Sequence, residues 1–177
     1  MSDRIIPLKP FLSNTPVPQI SLTARVSYDK RCLKIGYFLR GDLSQIKLPS
    51  TENREKRRDN LWQTTCFEFF LAVFNSPEYW EFNLAPTGDW NIYRFTKYRR
   101  GIREESAFSS LACQVKADSL YQIEAQIDLK PIIAGNTPLE IAVTAVIEDI
   151  NHNLSYWAII HPGTEADFHR RDSFITL

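Results

Sequence analysis

The sequence has no long apolar run, no net charge and no extended helical pattern, and each absence excludes a class of protein. No window of 18 residues is apolar enough to span a membrane, and the N-terminus lacks the apolar segment of a signal peptide. A formal net charge of zero argues against a general binder of polyanions. We therefore expect a cytoplasmic protein without a membrane partner, although a removed leader peptide would leave no trace.

Cysteines and metal-binding motifs are also scarce. The three cysteines, Cys32, Cys66 and Cys113, are odd in number and lie in strand-like segments, so we expect reduced thiols that pack as small apolar side chains. The tail offers four residues that can bind a metal: His161, Glu165, Asp167 and His169. They match no zinc motif and two arginines follow the last histidine, so hydrogen bonds that hold an irregular tail are favoured over a structural metal ion.

Two clusters of basic residues, Arg54 to Arg58 and Lys97 to Arg103, are too diluted by neighbouring acids to predict a nucleic-acid site. We interpret both clusters as solvated loops. A weak anion site in them is the alternative.

The dominant pattern is the alternation of apolar and polar residues with a period of two. It runs from Ile20 to Leu39 and again from Leu111 to Leu129, with turns near Asp29 and Asp118. No stripe with the helical period of 3.6 residues exceeds two turns. These patterns predict an all-β protein of about nine to eleven strands. We expect a two-sheet antiparallel β-sandwich, immunoglobulin-like or jelly-roll-like, in a single domain over residues 1–177, with a closed barrel as the alternative.

The stretch from Leu61 to Arg94 contains three of the four tryptophans and predicts three consecutive strands. Pairing Phe74 with Tyr79 brings the large apolar side chains of the first two strands to one face. This predicted core face carries Phe67, Phe69, Leu71, Trp80, Phe82 and Leu84. The opposite face then carries polar groups at Glu68, Glu81 and Asn83.

The register of the third strand depends on the turn that precedes it. A two-residue turn that pairs Pro86 with Asp89 places Trp90 and Arg94 on the polar face, and Tyr93 and Phe95 in the core. A face that mixes aromatic and charged groups is costly in water unless it is covered or used. With Trp62 added as a stacking candidate near a turn, the predicted ligand-binding residues are Trp62, Glu68, Glu81, Asn83, Trp90 and Arg94.

The two glutamates of this face also invite comparison with the paired acids of glycoside hydrolases. In the predicted register Glu81 lies opposite Ala72, about 13 Å along the sheet from Glu68, which exceeds the spacing that hydrolysis requires. Arg94 would lie across from Glu81 and lower its pKa. We therefore predict no catalytic residues and a protein that is not an enzyme.

Three segments, LWQTTCFEFF, YWEFNLAPTGDWNIYRF and ADFHRRDSF, resemble the DOMON-like group of β-sandwich domains. These domains are relatives of family 9 carbohydrate-binding modules and of haem-binding DOMON domains. The resemblance implies a sandwich that spans nearly the whole chain and a ligand site on one sheet face and its bordering loops. Haem members commonly use a methionine axial ligand, and since Met1 is the only methionine here, we predict no haem and no other cofactor.

The resemblance and the polar face together predict a non-catalytic ligand-binding module with carbohydrate as its partner. The alternative is a structural or protein-interaction domain, either a homodimer or the partner of an enzyme, in which the same face packs against protein. The sequence leaves the oligomeric state and the identity of the ligand open.

Overall fold

A computed structural model describes residues 3–12, 15–49, 55–117, 120–135 and 137–177. It contains twelve β-strands and short 3-10 turns at Leu43–Gln45, Leu61–Gln63 and Arg171–Ser173. The strands are β1 (Arg4–Pro10), β2 (Ile20–Asp29), β3 (Cys32–Gly41), β4 (Cys66–Val73), β5 (Tyr79–Leu84), β6 (Trp90–Phe95), β7 (Arg103–Glu104), β8 (Cys113–Ala117), β9 (Tyr121–Asp128), β10 (Leu139–Glu148), β11 (Leu154–Ala158) and β12 (Ile175–Thr176). The predicted all-β class is confirmed.

The strands form one curled antiparallel sheet with the order β7-β6-β5-β4-β10-β11-β1-β2-β3-β9-β8, and β12 pairs with β10. Strand β1 joins the two halves because its first residues pair with β2, whereas Lys9 and Pro10 pair with β11. The halves face each other across the core, where the ring of Tyr37 from β3 lies 5.2 Å from that of Phe67 from β4. The predicted separation into two sheets is not confirmed, since β1 continues the hydrogen bonding from one half to the other.

The alternation in the sequence does select the core. Leu22, Ala24 and Val26 of β2 are buried, and the polar residues between them face outward. The predicted core face of β4 and β5 is also confirmed, because its six apolar side chains are at most 4% exposed. The turn predicted near Asp118 falls outside the described residues.

The register between β4 and β5 differs from the prediction by two residues. Tyr79 pairs with Ala72 instead of Phe74, because a turn at Val73–Ser76 closes the hairpin earlier. A shift of two residues keeps every side chain on its predicted face. It does move Glu81, which lies opposite Phe70 and not Ala72.

The register between β5 and β6 differs by one residue, which exchanges the faces of β6. The amide of Ala85 donates to the carbonyl of Asp89, so the turn encloses three residues and not two, with Gly88 at a φ of 85°. Leu84 therefore pairs with Trp90. The placement of Tyr93 and Phe95 in the main core was wrong, since both lie on the face of Glu81.

In the part of the chain that the structure describes, no helix has the length and apolar content needed to cross a membrane.

Candidate functional site

A cleft of about 480 Å³ lies on the face of β4, β5 and β10 that points away from the main core. This volume is within the range of about 300–1,000 Å³ that is typical of small-molecule sites. The cleft is lined by Trp62, Gln63, Glu68, Phe70, Glu81, Phe95, Arg99, Ile102, Val146, Leu154, Tyr156, Ala166, Phe168 and His169.

Glu68 and Glu81 are neighbouring carboxyl groups at the floor of this cleft. Glu68 pairs with Asn83, and Glu81 lies two residues away on the same face of β5. Such diagonal neighbours have Cα atoms about 7–8 Å apart in an antiparallel pair. The predicted separation of about 13 Å was therefore wrong, because it rested on the shifted register.

Burial makes both carboxyl groups weak acids. Desolvation raises the pKa of Glu81 from 4.5 to about 7, against the opposing effects of a hydrogen bond from Asn83 and the charge of Arg99. Desolvation, reinforced by the negative charge of Glu81, holds the pKa of Glu68 well above 4.5. The prediction that Arg94 lowers the pKa of Glu81 was wrong, since Tyr93 occupies the cross-strand position.

Asn83 lies beside this pair, opposite Glu68 and on the same face of β5 as Glu81, and is fully buried. Its amide nitrogen donates to Oε1 of Glu81 over 2.9 Å. Its amide oxygen Oδ1, like the carboxyl oxygen Oε1 of Glu68, is buried without a hydrogen-bond partner among the described residues. Asn83 therefore orients Glu81 from the side, and two neighbouring acceptor atoms at the floor lack donors.

His169 closes one side of the cleft. The backbone amide of Arg99 donates to the Tyr79 hydroxyl, which leaves the hydroxyl proton free to donate to Nδ1 of His169 over 2.9 Å. This arrangement favours the tautomer with its proton on Nε2, which lies 3.9 Å from Oε2 of Glu81. Burial, helped by the charge of Arg99, lowers the pKa of His169 to about 4, so the ring is neutral near pH 7.

The C-terminal segment that carries His169 is fixed to the sheet by ion pairs. Asp167 accepts hydrogen bonds from the guanidinium of Arg99 over 2.8 Å and from the hydroxyl of Tyr98. Arg171 donates to the carbonyl of Ser76 over 2.8 Å and pairs with Glu140. This chain's own tail therefore covers part of the polar face and leaves the rest as the cleft.

Trp62 is the tryptophan that lines the cleft. It lies in the 3-10 turn just before β4, is half-buried, and its ring meets that of Tyr93 edge-on at 5.5 Å. The structure thus places Trp62, Glu68 and Glu81 at one cleft, with Asn83 buried beside the two glutamates.

The other two predicted site residues, Trp90 and Arg94, lie on the opposite face of the sheet. Trp90 is 1% exposed within the main core, and the guanidinium of Arg57 lies 4.3 Å from its ring. Arg94 pairs with Glu78 over 2.7 Å and lies over the ring of Trp80. Their placement beside Glu81 was wrong, because the three-residue turn reverses the faces of β6.

Several cleft residues were missed from the sequence. The sequence pattern placed Arg99 only within a basic loop and His169 only among potential metal ligands. Tyr156 and Phe168 were not predicted to belong to the site. His169 bonds to Tyr79, 90 positions away in the chain, which local sequence patterns do not reveal. In the described part of the tail and elsewhere in the described chain, no group of three His, Cys, Asp or Glu side chains is placed to hold a metal ion.

Part of the charge of the basic clusters is engaged within the protein. Arg57 donates to Asn91 and to the carbonyls of Glu105 and Phe108, and Arg58 pairs with Asp89. Arg54, the first residue of the first cluster, lies outside the described residues. The interpretation as a solvated loop was therefore too simple for the first cluster, whereas the residues of the second, Lys97 to Arg103, are all exposed.

A second groove of about 420 Å³ lies on the outer face of the other half of the sheet. Its floor is Gly36, where the absence of a side chain leaves space beside Glu124. Arg25, Ser27 and Lys34 are among the residues that border it. This groove shares no residue with the cleft.

Solved structures with a similar fold include sugar-binding proteins. One is a Bacteroides uniformis ATCC 8492 protein to which carbohydrate binding has been provisionally ascribed, with a TM-score of 0.75 at 12% sequence identity over 98% of this chain and 84% of that chain. Another is a family 9 carbohydrate-binding module from Caldicellulosiruptor kristjanssonii in complex with glucose, with a TM-score of 0.50 at 13% identity over 82% of this chain and 69% of that chain.

No protein-family model matches the chain, and no curated protein sequence matches it significantly. The resemblance to carbohydrate-binding modules is thus confirmed at the level of the fold, and the DOMON-like part of the resemblance stays a prediction. The chain shares its fold with carbohydrate-binding proteins.

Proposed function

We propose that this protein is a non-catalytic carbohydrate-binding module and that the cleft beside Trp62 is its binding site. The observation that carries the proposal is the chemistry of the cleft, in which aromatic side chains stand beside carboxyl and guanidinium groups. Sugars present apolar C–H faces, which pack on aromatic rings, and hydroxyl groups, which bond to charged and polar side chains. The shared fold supports this proposal.

Each kind of group in the cleft has a distinct task in this proposal. Trp62 and Phe168 provide aromatic surface for a sugar ring, and Tyr156, which is 37% exposed, extends that surface toward solvent. The carboxyl groups of Glu68 and Glu81 bond hydroxyl groups on the floor. Since few polar groups fix the ligand, aromatic contacts supply much of the affinity and the polar groups supply the orientation.

Glycoside hydrolysis is the second candidate, because Glu68 and Glu81 are close together and are both weak acids. Hydrolases flank the scissile bond with their two carboxyl groups. Here both groups project from the same face of adjacent strands, so they meet one side of a ligand. This geometry favours binding over hydrolysis. If the native protein hydrolysed aryl glycosides and Glu81→Gln did not, the non-catalytic assignment would be overturned.

A protein-interaction role is the remaining alternative. Ile102, which is 56% exposed at the edge of the cleft, offers apolar surface to such a partner. The mass of the protein in solution, measured with and without saccharides, distinguishes a protein-interaction role from carbohydrate binding.

The test of the proposal is calorimetric titration, guided by a glycan array, of the native protein and of Trp62→Ala. We expect the substitution to weaken saccharide binding at least about tenfold, or about 1.4 kcal/mol, because it removes the aromatic surface from the cleft. Phe74→Ala is the matched control, since Phe74 is an exposed aromatic residue that does not line the cleft. Equal affinity in Trp62→Ala and the native protein would contradict the site assignment.

A further inference from the structure

The floor of the cleft offers hydrogen-bond acceptors that lack donors. Oε1 of Glu68 belongs to a side chain that is 97% buried, and Oδ1 of Asn83 belongs to the residue directly opposite in the sheet; neither has a partner within the described part of the chain. A buried acceptor without a donor costs about 1–3 kcal/mol. Once Glu68, whose pKa burial holds well above 4.5, has lost its proton, the floor is therefore matched to a ligand that brings several donors to one point.

The charges around the floor favour a ligand with a positive charge. Among the described residues that line the cleft, Arg99 carries the one full positive charge, and its guanidinium is already paired with Asp167 over 2.8 Å. His169 faces Glu81 as a neutral ring, since its Nδ1 accepts from Tyr79. When Glu68 and Glu81 ionise, no unpaired cationic side chain among the described lining residues therefore balances their two negative charges.

The aromatic groups of the cleft suit a cation as well as a sugar. Phe70 and Phe95 line the floor, and their rings lie 5.0 and 5.1 Å from the ring of His169. Ring faces attract ammonium groups, and the attraction grows when water is excluded. Phe70 and Phe95, which are at most 4% exposed, therefore give an ammonium group at the two carboxylates surroundings that exclude most water.

Resting on the proposed carbohydrate-binding function, we propose that the ligand is an amino sugar whose ammonium group is held between Glu68 and Glu81. An ammonium group has three donors, one for each carboxylate and one for Oδ1 of Asn83. Trp62 and Phe168 then contact the sugar ring above it. An N-acetyl group lacks both the positive charge and two of the donors, so the site discriminates against acetylated sugars.

Binding of an ammonium group is coupled to release of a proton. With the pKa of Glu81 at about 7, this carboxyl group is mostly protonated at pH 6, and Glu68, whose pKa burial also holds well above 4.5, can hold a second proton. An ammonium beside it favours the carboxylate, so the proton passes to the buffer as the ion pair forms. A neutral sugar that bonds to the same carboxylic acid releases no proton.

Isothermal titration calorimetry at pH 6, in two buffers of different ionisation enthalpy, tests this inference. The probes are the trimer of glucosamine, its N-acetylated counterpart, cellotriose and n-butylammonium. We expect the glucosamine trimer to bind at least tenfold more tightly than the other three probes and to release about one to two protons, since both Glu68 and Glu81 are carboxylates in the complex. Binding of all three saccharides with equal affinity and without proton release would overturn the amino-sugar inference and leave the proposed function standing.

The remaining outcomes distinguish recognition of the sugar ring from recognition of the positive charge alone. Butylammonium that binds as tightly as the glucosamine trimer would overturn the assignment to a sugar, and failure of all saccharides to bind would overturn both proposals. Glu68→Gln keeps the shape of the side chain but not its negative charge, so we expect it to abolish the tenfold preference for the glucosamine trimer. Glu124→Gln, in the second groove, is the matched control and keeps the preference.

Discussion

At the scale of single residues, the cleft depends on carboxyl groups that the fold keeps away from water. Glu81 is 6% exposed and bonds to Asn83, and its pKa is raised to about 7. In the unfolded chain the same group titrates near 4.5. Glu81 therefore destabilises the folded protein at neutral pH.

The sign of this effect gives the first prediction. Between pH 4.5 and about 7 the folded state holds a proton that the unfolded state has lost, so stability falls as pH rises. Glu81→Gln removes this dependence and keeps an acceptor for the amide of Asn83. Relative to the native protein, we expect the variant to gain up to about 3 kcal/mol in free energy of unfolding between pH 4 and pH 8.

Urea denaturation at several pH values measures this gain. His169 has the opposite dependence, because its pKa is lowered to about 4 and stability falls as pH drops from 6.5 toward that value. The comparison between Glu81→Gln and the native protein cancels this contribution. A free-energy difference that is the same at every pH would show that Glu81 ionises as an exposed group does.

At the scale of elements, the turn between β5 and β6 decides which side chains reach the cleft. The segment Pro86–Asp89 is compatible with two-residue and three-residue turns, since Gly88 accepts a positive φ in both. The sequence of β6 does not distinguish the two registers, because Trp90 and Ile92 on one face are as apolar as Tyr93 and Phe95 on the other. The faces of β4 and β5 were predictable because their apolar residues alternate without ambiguity.

The turn also gives a prediction about stability. Gly88→Ala forces an alanine into the left-handed region, at a cost of about 1–2 kcal/mol. Gly88→Asn is the matched control and should lose less, because asparagine tolerates this conformation better. Urea unfolding measures both variants. Equal stability of Gly88→Ala and the native protein would contradict the positive φ of residue 88.

The tail segment is the element that sequence patterns could not place. Its anchor, Arg171, is paired with Glu140 and donates to the carbonyl of Ser76. These contacts join positions that are 31 and 95 residues apart, so no local periodicity records them. The side of the cleft made by Phe168 and His169 therefore emerges only in the folded chain.

Loss of this anchor should loosen the tail. We expect Arg171→Ala to cost about 1–3 kcal/mol, because Glu140 and the Ser76 carbonyl lose a charged donor, and to speed hydrogen exchange in residues 166–174. Arg170→Ala is the control, since Arg170 pairs with the exposed Asp172 and should change stability by less than about 1 kcal/mol. Exchange in the tail that is equally slow in both variants would show that other contacts hold it.

At the scale of the whole molecule, one continuous sheet supports two different faces. The inner face forms the main core, where both halves of the sheet meet, and the outer face of β4, β5 and β10 carries the cleft. Strand β1 pairs with both halves of the sheet, so the strands that carry the cleft belong to one hydrogen-bonded framework. Such a scaffold preorganises Glu68, Glu81 and Asn83 for a ligand.

The four tryptophans report on where that ligand binds. Trp62 lines the cleft, whereas Trp80, Trp90 and Trp157 are at most 4% exposed within the main core. Because each indole N–H gives a separate signal in a ¹⁵N–¹H correlation spectrum, one titration observes the cleft and three internal controls together.

The central claim is that the cleft beside Trp62 binds the saccharide, and this NMR titration tests it most directly. With the saccharide identified by calorimetry, we predict that the Trp62 indole signal and the backbone amides of Arg99 and His169 shift, while the other three indole signals stay in place. Shifts at Gly36 and Glu124, in the second groove, with an unchanged Trp62 signal would contradict the claim.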